Sequence, residues 1–162
     1  MKKTFLTFLL AFTFVSIFAS CNKDNTDPDT SNTENIGNTG NNNENMSSKI
    51  KIKIGSGTFS ATLSNNPTAT AFKAMLPMTI NMSDLNSNEK FYDFSTGLPT
   101  NASNLSAIQT GDLMMYGANT FVLFYKTFST SYSYTRLGHI DDTTGLSAAL
   151  GSGSVSITFE LE

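Results

Sequence analysis

Alternation of apolar and polar residues is clearest near the two ends of the segment 48–162. In Lys49–Ile54 every second residue is Ile, and in Val155–Leu161 every second residue is Val, Ile, Phe or Leu. A period of two residues is typical of a strand with one buried face. Both segments are therefore predicted to be strands, and the Lys row of the first is expected on its solvated face.

Six further strands are predicted between these two, from shorter alternating or apolar runs bounded by Gly, Pro and Asn. They are Thr58–Leu63, Met78–Met82, Phe91–Phe94, Leu113–Tyr116, Thr120–Tyr125 and Arg136–Ile140. The turn residues Gly117-Ala118-Asn119 predict a hairpin between two of them.

Two short helices are predicted among the strands. Asn66 suits the N-cap and Pro67 the first position of a helix that Pro77 ends, and Gly145–Leu150 predicts a second helix. Eight short strands can avoid exposed edges by closing into a barrel. We therefore predict a mainly β domain over residues 48–162, a closed eight-stranded antiparallel barrel whose ends are covered by two helices.

The N-terminus has the organisation of an export signal. Lys2 and Lys3 precede an uncharged run rich in Phe and Leu, and the small residues Ala19 and Ser20 precede Cys21. A Cys after such a pair resembles the lipobox of bacterial lipoproteins, which implies cleavage before Cys21 and lipidation of its thiol. Residues 1–20 are therefore predicted to be a lipoprotein signal peptide. The alternative is an uncleaved membrane anchor, but the run would span only about 24 Å of a core about 30 Å thick.

The segment after the Cys differs sharply in composition. Nine of the 24 residues in 22–45 are Asn, and Ile36 is the only aliphatic or aromatic residue there. Such a segment cannot bury enough apolar area to offset its ordering entropy. We predict that residues 21–47 are a lipidated Cys followed by a disordered tether, which attaches the barrel to a membrane of the cell envelope. Lys23-Asp24 favours the outer membrane, with the barrel on either its periplasmic or its outer face.

Composition excludes several kinds of function. A single Cys cannot form an internal disulfide or a structural zinc site, and Asp141-Asp142 lacks the spacing of an EF-hand loop. The net charge of -3 and the absence of a basic patch argue against nucleic acid as a partner. No metal, cofactor or oligomeric state is predicted.

An ordered set of segments carries a family resemblance. They are Ile50–Ile52, Phe59–Leu63, Asn66–Phe72, Leu76–Thr79, Glu89-Lys90, Gly111–Leu113, Phe124–Lys126, Tyr134–Gly138 and Val155–Glu160. Together they resemble the bacterial cyclophilin-like domain family, whose members have mostly unknown function. The resemblance covers residues 48–162 and implies a cyclophilin-type barrel.

The resemblance does not bring the catalytic residues of true cyclophilins with it. Gln109-Thr110-Gly111-Asp112 is similar to their Gln-x-Gly-Asp, but Asn101 stands where their Arg is expected and Ser106 where a Phe is expected. The chain also has no Trp. Most of the prolyl isomerase residues are therefore missing, and we predict no catalytic residue.

Arg136 is the strongest candidate for a binding residue. It is the only Arg in the chain, and a guanidinium suits carboxylates and carbonyls. The resemblance places its segment near the mouth of the pocket. The alternative is a structural ion pair with Glu89 or Asp141.

Tyr125, Tyr132 and Tyr134 could wall an amphipathic pocket, or could be packing residues. His139 could be a general acid or base, but a lone His with no placed partner is expected to be an ordinary surface or packing residue.

The function predicted is binding of a peptide or small ligand without catalysis, at a pocket that contains Tyr125, Tyr134 and Arg136, with Glu89 and Gln109 as further candidates. An envelope foldase with prolyl isomerase activity is the alternative, and an adaptor role in assembly is a third possibility.

Overall fold

A computed structural model of the chain describes residues 48–162. The predicted signal peptide, Cys21 and tether lie outside these residues. Within them, neither helix is long and apolar enough to cross a membrane. The strands are β1 (Lys49–Ile54), β2 (Gly57–Leu63), β3 (Met78–Leu85), β4 (Glu89–Asp93), β5 (Ser103–Asn104), β6 (Ala107–Ile108), β7 (Asp112–Tyr116), β8 (Thr120–Phe124), β9 (Phe128–Ser129), β10 (Ser133–Ile140) and β11 (Val155–Leu161). The helices are α1 (Pro67–Lys73) and α2 (Leu146–Leu150).

Eight strands close into an antiparallel barrel. The order around it is β2-β1-β11-β3-β4-β8-β7-β10, and β10 pairs back with β2. The short β5 extends the edge of β10, and β6 and β9 form a separate two-stranded ribbon. The predicted fold, a closed eight-stranded barrel with two short helices, is confirmed.

The closure of the barrel depends on a glycine in β10. Gly138 lies opposite Leu63 of β2 and Leu113 of β7, next to a bulge in the register of β10. A Cβ atom at Gly138 would lie 2.6 Å from the carbonyl oxygen of Thr62. Only glycine therefore lets β10 approach β2 closely enough to complete the ring.

The barrel interior is filled by apolar residues of the strands and of both helices. Ile50, Ile52 and Ile54 of β1 are buried, as their alternation predicts. Phe72 of α1 is also fully buried, and its ring centroid lies 5.1 Å from that of Phe121. The amide N–H of Ala69 donates to the side chain of the N-cap residue Asn66 at 2.8 Å, which fixes the start of α1.

Some element boundaries differ from the prediction. Helix α1 ends at Lys73, about one turn before Pro77, because the amides of Met75 and Leu76 donate to carbonyls three residues earlier and tighten the last turn. Strand β4 begins at Glu89 rather than Phe91, since backbone pairing with β8 starts at Glu89 and Phe124. Strand β10 begins at Ser133, within the hydroxyl-rich stretch that precedes Arg136.

A lysine is completely buried in the barrel. The ammonium of Lys90 on β4 lies 2.8 Å from the carboxylate of Asp84 on β3. It also donates to the carbonyl oxygens of Gly151 and Gly153, at 2.9 and 2.7 Å. A buried charge is stable only when it is paired and hydrogen-bonded. The single cation therefore joins β3, β4 and the loop between α2 and β11.

We expect Lys90→Met to lower the free energy of unfolding by about 3 kcal/mol, because it leaves Asp84 without its cation and two carbonyls without a donor. Urea denaturation of the purified protein measures the change. Lys53→Met is the matched control. It removes an exposed pair with Glu160 at 2.8 Å and should cost less than about 1 kcal/mol. Equal losses in the two variants would contradict the role given to Lys90.

Candidate functional site

Strands β7 and β8 are buried on both faces. Leu113, Met115, Phe121 and Leu123 belong to the interior core. The alternating residues Met114, Val122 and Phe124 belong to a second apolar cluster, with Ile108 and Tyr134. Since successive side chains of a strand point to opposite faces, this second cluster lies on the outer surface of the barrel. The β6–β9 ribbon contributes Ile108 and Phe128 to it.

A groove on this outer surface crosses β4, β8, β7 and the start of β10. We call it the aromatic groove, and its volume is about 370 Å³. It is lined by Leu85, Asn86, Asn88, Glu89, Phe91, Asp93, Tyr116, Thr120, Val122, Phe128, Tyr132 and Tyr134.

A row of aromatic rings runs along the groove and its floor. Phe124 packs edge-on against Tyr134, with ring centroids 5.5 Å apart. Tyr134 lies 5.6 Å from Tyr116, which lies 6.0 Å from Tyr132. Exposure rises along the row, from 0% at Phe124 and 6% at Tyr134 to 47% at Tyr116 and 61% at Tyr132. The groove therefore has a rigid buried end and an exposed aromatic rim.

Two carboxylates lie in the aromatic groove, both on the outer face of β4. Asp93 accepts a hydrogen bond of 2.6 Å from the Thr120 hydroxyl. Burial, and secondarily the negative charge of Asp84, raises the pKa of Glu89 above its ordinary value. Burial also raises the pKa of Tyr134, and the charge of Glu89 adds to that effect. Two of the predicted site residues, Tyr134 and Glu89, thus lie in one site and influence each other electrostatically.

Arg136 lies outside the groove. Its guanidinium donates to the buried carboxylate of Asp112 at 3.1 Å, so its partner is Asp112 rather than the predicted Glu89 or Asp141. The Nδ1 atom of His139 lies 3.0 Å from the same oxygen. Arg136 lines a separate depression together with Asn101, the residue at the position of the missing cyclophilin Arg.

The remaining two candidates also lie elsewhere. Tyr125 is 7% exposed, and its hydroxyl donates to Asp84 at 2.6 Å beside the ammonium of Lys90. Burial and this hydrogen bond raise the pKa of Tyr125 to about 12. Gln109 is exposed, and its backbone N–H donates to Asp112 at 2.8 Å. The pocket predicted from Tyr125, Tyr134 and Arg136 together is therefore not formed as one site.

Several groove residues were not predicted. Phe91, Asp93, Tyr116 and Phe128 line the groove, and Asp112 organises its surroundings. One signal was available: Glu89, Phe91 and Asp93 alternate along a strand, and β7 and β8 are apolar at successive positions. Apolar runs without alternation indicate strands covered on both faces. Among residues 48–162, no group of three His, Cys, Asp or Glu side chains is placed to hold a metal ion.

The raised pKa of Glu89 predicts a dependence of stability on pH. A carboxyl group whose pKa is raised on folding makes the protein less stable as the pH rises from below 4.5 through its folded-state pKa. Glu89→Gln removes this loss. Between acidic and neutral pH, the thermal midpoint of the variant should therefore rise relative to that of the native protein. The corresponding gain in the free energy of unfolding should be less than about 1 kcal/mol, since water screens a half-exposed charge.

Glu160→Gln on β11 is the control, because it removes a carboxylate already paired with Lys53. It should show no comparable gain over the same pH range. Identical pH profiles for Glu89→Gln and the native protein would show that Glu89 is fully solvated.

Comparison with known proteins agrees with this architecture. The Cyclophilin-like family matches residues 52–160. Among solved structures, the chain is similar to the solution structure of the hypothetical protein AF2241 from Archaeoglobus fulgidus. The identity is 14%, the TM-score is 0.51, and the match covers 72% of this chain and 96% of that one. No curated protein matches the chain. The match over most of the barrel shows that this protein belongs to the cyclophilin-like family.

Proposed function

We propose that the barrel is a non-catalytic binding module that holds a peptide in the aromatic groove. The observation that carries the proposal is the exposure of the aromatic rim. Five large hydrophobic residues of the described region are exposed, and three of them, Leu85, Tyr116 and Tyr132, line this groove. Exposed apolar residues gathered at one concave site are typical of a binding surface.

The groove is suited to an extended chain. Strand β10 carries Tyr134 in the groove and Arg136 two residues further along the same outer face. These positions are about 7 Å apart along a strand. A peptide that crosses the groove along β10 would contact the tyrosines with its apolar side chains, while Arg136 stays paired with Asp112 beside the groove.

Prolyl isomerase activity has less support than binding. Gln109 does not line the aromatic groove, and Asn101 cannot supply the charge of the missing Arg. Arg136 does lie beside Asn101, but its guanidinium is paired with Asp112. We therefore do not propose an isomerase.

Binding can be tested with blocked pentapeptides of the form acetyl-Gly-Leu-X-Phe-Gly-amide, in which X is varied over the standard residues. Titration followed by NMR should shift groove residues, with dissociation constants below about 1 mM for at least one peptide. Tyr132→Ala should weaken that binding about tenfold, as expected for an aromatic contact residue, and leave the thermal midpoint almost unchanged.

Leu161→Ala is the matched control, since Leu161 is 49% exposed but lies on β11, outside the groove. Its affinity should equal that of the native protein. Peptides that shift only residues elsewhere, or that bind nowhere at millimolar concentration, would contradict the proposal.

We also propose that the protein is an envelope lipoprotein anchored through Cys21. The support is the signal-like N-terminus and the small residues before the Cys. In a bacterial host, the native protein should be labelled by a radioactive fatty acid, and Cys21→Ser should abolish the labelling. Asn22→Gln, which leaves the Cys in place, should keep it. A native protein that is found in the membrane fraction but takes up no fatty acid would indicate the uncleaved anchor instead.

A further inference from the structure

The aromatic groove has a one-sided charge. Glu89 and Asp93 lie four residues apart on the outer face of β4, about 13 Å along the strand, with Phe91 midway between them. None of the residues that line the groove is Lys, Arg or His. The local charge is therefore negative wherever both carboxyl groups are ionised.

Neither carboxylate is neutralised by the described part of the protein. The ion pairs within residues 48–162 involve Asp84, Asp112, Asp141 and Glu160, and none involves Glu89 or Asp93. Lys90 is adjacent to Glu89 in sequence, but it points into the barrel, where Asp84 and two carbonyls satisfy its charge. The Thr120 hydroxyl bonded to Asp93 is neutral.

The aromatic walls add to the same preference. The face of an aromatic ring carries partial negative charge and attracts cations within about 6 Å. Phe91, Tyr116 and Tyr134 line the groove together with the two carboxylates. Aromatic faces combined with unpaired carboxylates favour an organic cation and repel a carboxylate or a phosphate.

The size of the groove selects among cations. A volume of about 370 Å³ is near the lower end for ligand pockets and is much larger than a bare metal ion needs. A lysine or arginine side chain has an apolar stem that can lie on aromatic rings and a cationic head that can reach a carboxylate.

We propose that the aromatic groove recognises peptides through a lysine or arginine side chain, whose cationic head binds at Glu89 and whose stem packs on Phe91 and Tyr134, while Asp93 adds to the negative potential of the groove. This inference rests on the proposed function, since it names the chemistry of the ligand for the same groove. The raised pKa of Glu89 supports it, because a bound cation would relieve the cost of an ionised carboxylate in that position.

The test uses the full chain and the acetyl-Gly-Leu-X-Phe-Gly-amide peptides with X as Lys, norleucine, Arg, citrulline or Glu. Norleucine and citrulline keep the shape of Lys and Arg without the charge. The Lys and Arg peptides should bind about tenfold more tightly than their neutral counterparts, and the Glu peptide should bind most weakly. The preference should shrink as salt rises, because ions screen charges at an open site.

Charge-neutral variants locate the preference. Glu89→Gln should reduce the tenfold preference for Lys over norleucine severalfold. Asp93→Asn, which retains an acceptor for Thr120, should reduce it to a smaller degree. Glu160→Gln, outside the groove, should leave it intact. The NMR spectrum of each variant shows whether it folds. If one of the two groove variants does not fold, the other still tests the proposal.

The outcomes separate the two proposals. Equal affinities for Lys and norleucine peptides, both weakened by Tyr132→Ala, would overturn cation recognition and leave the binding module standing. Tighter binding of the Glu peptide would also overturn cation recognition. Failure of every peptide to bind in the groove at millimolar concentration would overturn both. A tenfold preference that survives both Glu89→Gln and Asp93→Asn would place the recognition of charge elsewhere.

Discussion

The buried ammonium of Lys90 constrains β3, β4 and the loop before β11 at the same time. It is held by a carboxylate of β3 and by two carbonyls of the loop before β11, so β4 is stable in only one register. Because successive side chains of a strand alternate, an inward Lys90 places Glu89 and Phe91 on the outer face. The acidic strand of the groove is therefore a consequence of the cation on the opposite face.

A second constraint comes from Asp112, which positions a wall of the groove without lining it. Its buried carboxylate accepts the backbone N–H of Gln109, and so connects the end of β6 to the start of β7. Strand β6 pairs with β9, where Phe128 lines the groove. Gly111, with a φ of 93°, allows the turn that brings Asp112 to its buried position. Arg136 and His139 stabilise this carboxylate, which gives both residues a structural role.

Local patterns predict the fold well and the site only in part. The isoleucines of β1 and the cap at Asn66 follow from neighbouring residues, and the structure confirms them. The inward orientation of Lys90 does not follow from neighbouring residues, because it depends on acceptors 61 and 63 residues away. The same holds for Arg136, whose partner is 24 residues distant and becomes available only when β7 and β10 pair. The two-residue strands β5, β6 and β9 are too short to show any periodicity.

The contrast between Arg136 and Glu89 shows why the most distinctive charge in the sequence is not the best candidate for binding a ligand. A ligand that captured the guanidinium of Arg136 would have to compete with a carboxylate that is 1% exposed, and separating that pair would leave a buried carboxylate without its guanidinium. Glu89 has no ion pair with a described residue, so a ligand cation gains its attraction without breaking a bond. An ionised carboxylate retained at a site where burial raises its pKa lowers the stability of the free protein. Residues of this kind cluster at functional sites. The exposed tyrosines of the same groove also lower the stability of the free protein, because they leave apolar surface in water. A single ligand with an apolar stem and a cationic head would cover this surface and pair with Glu89.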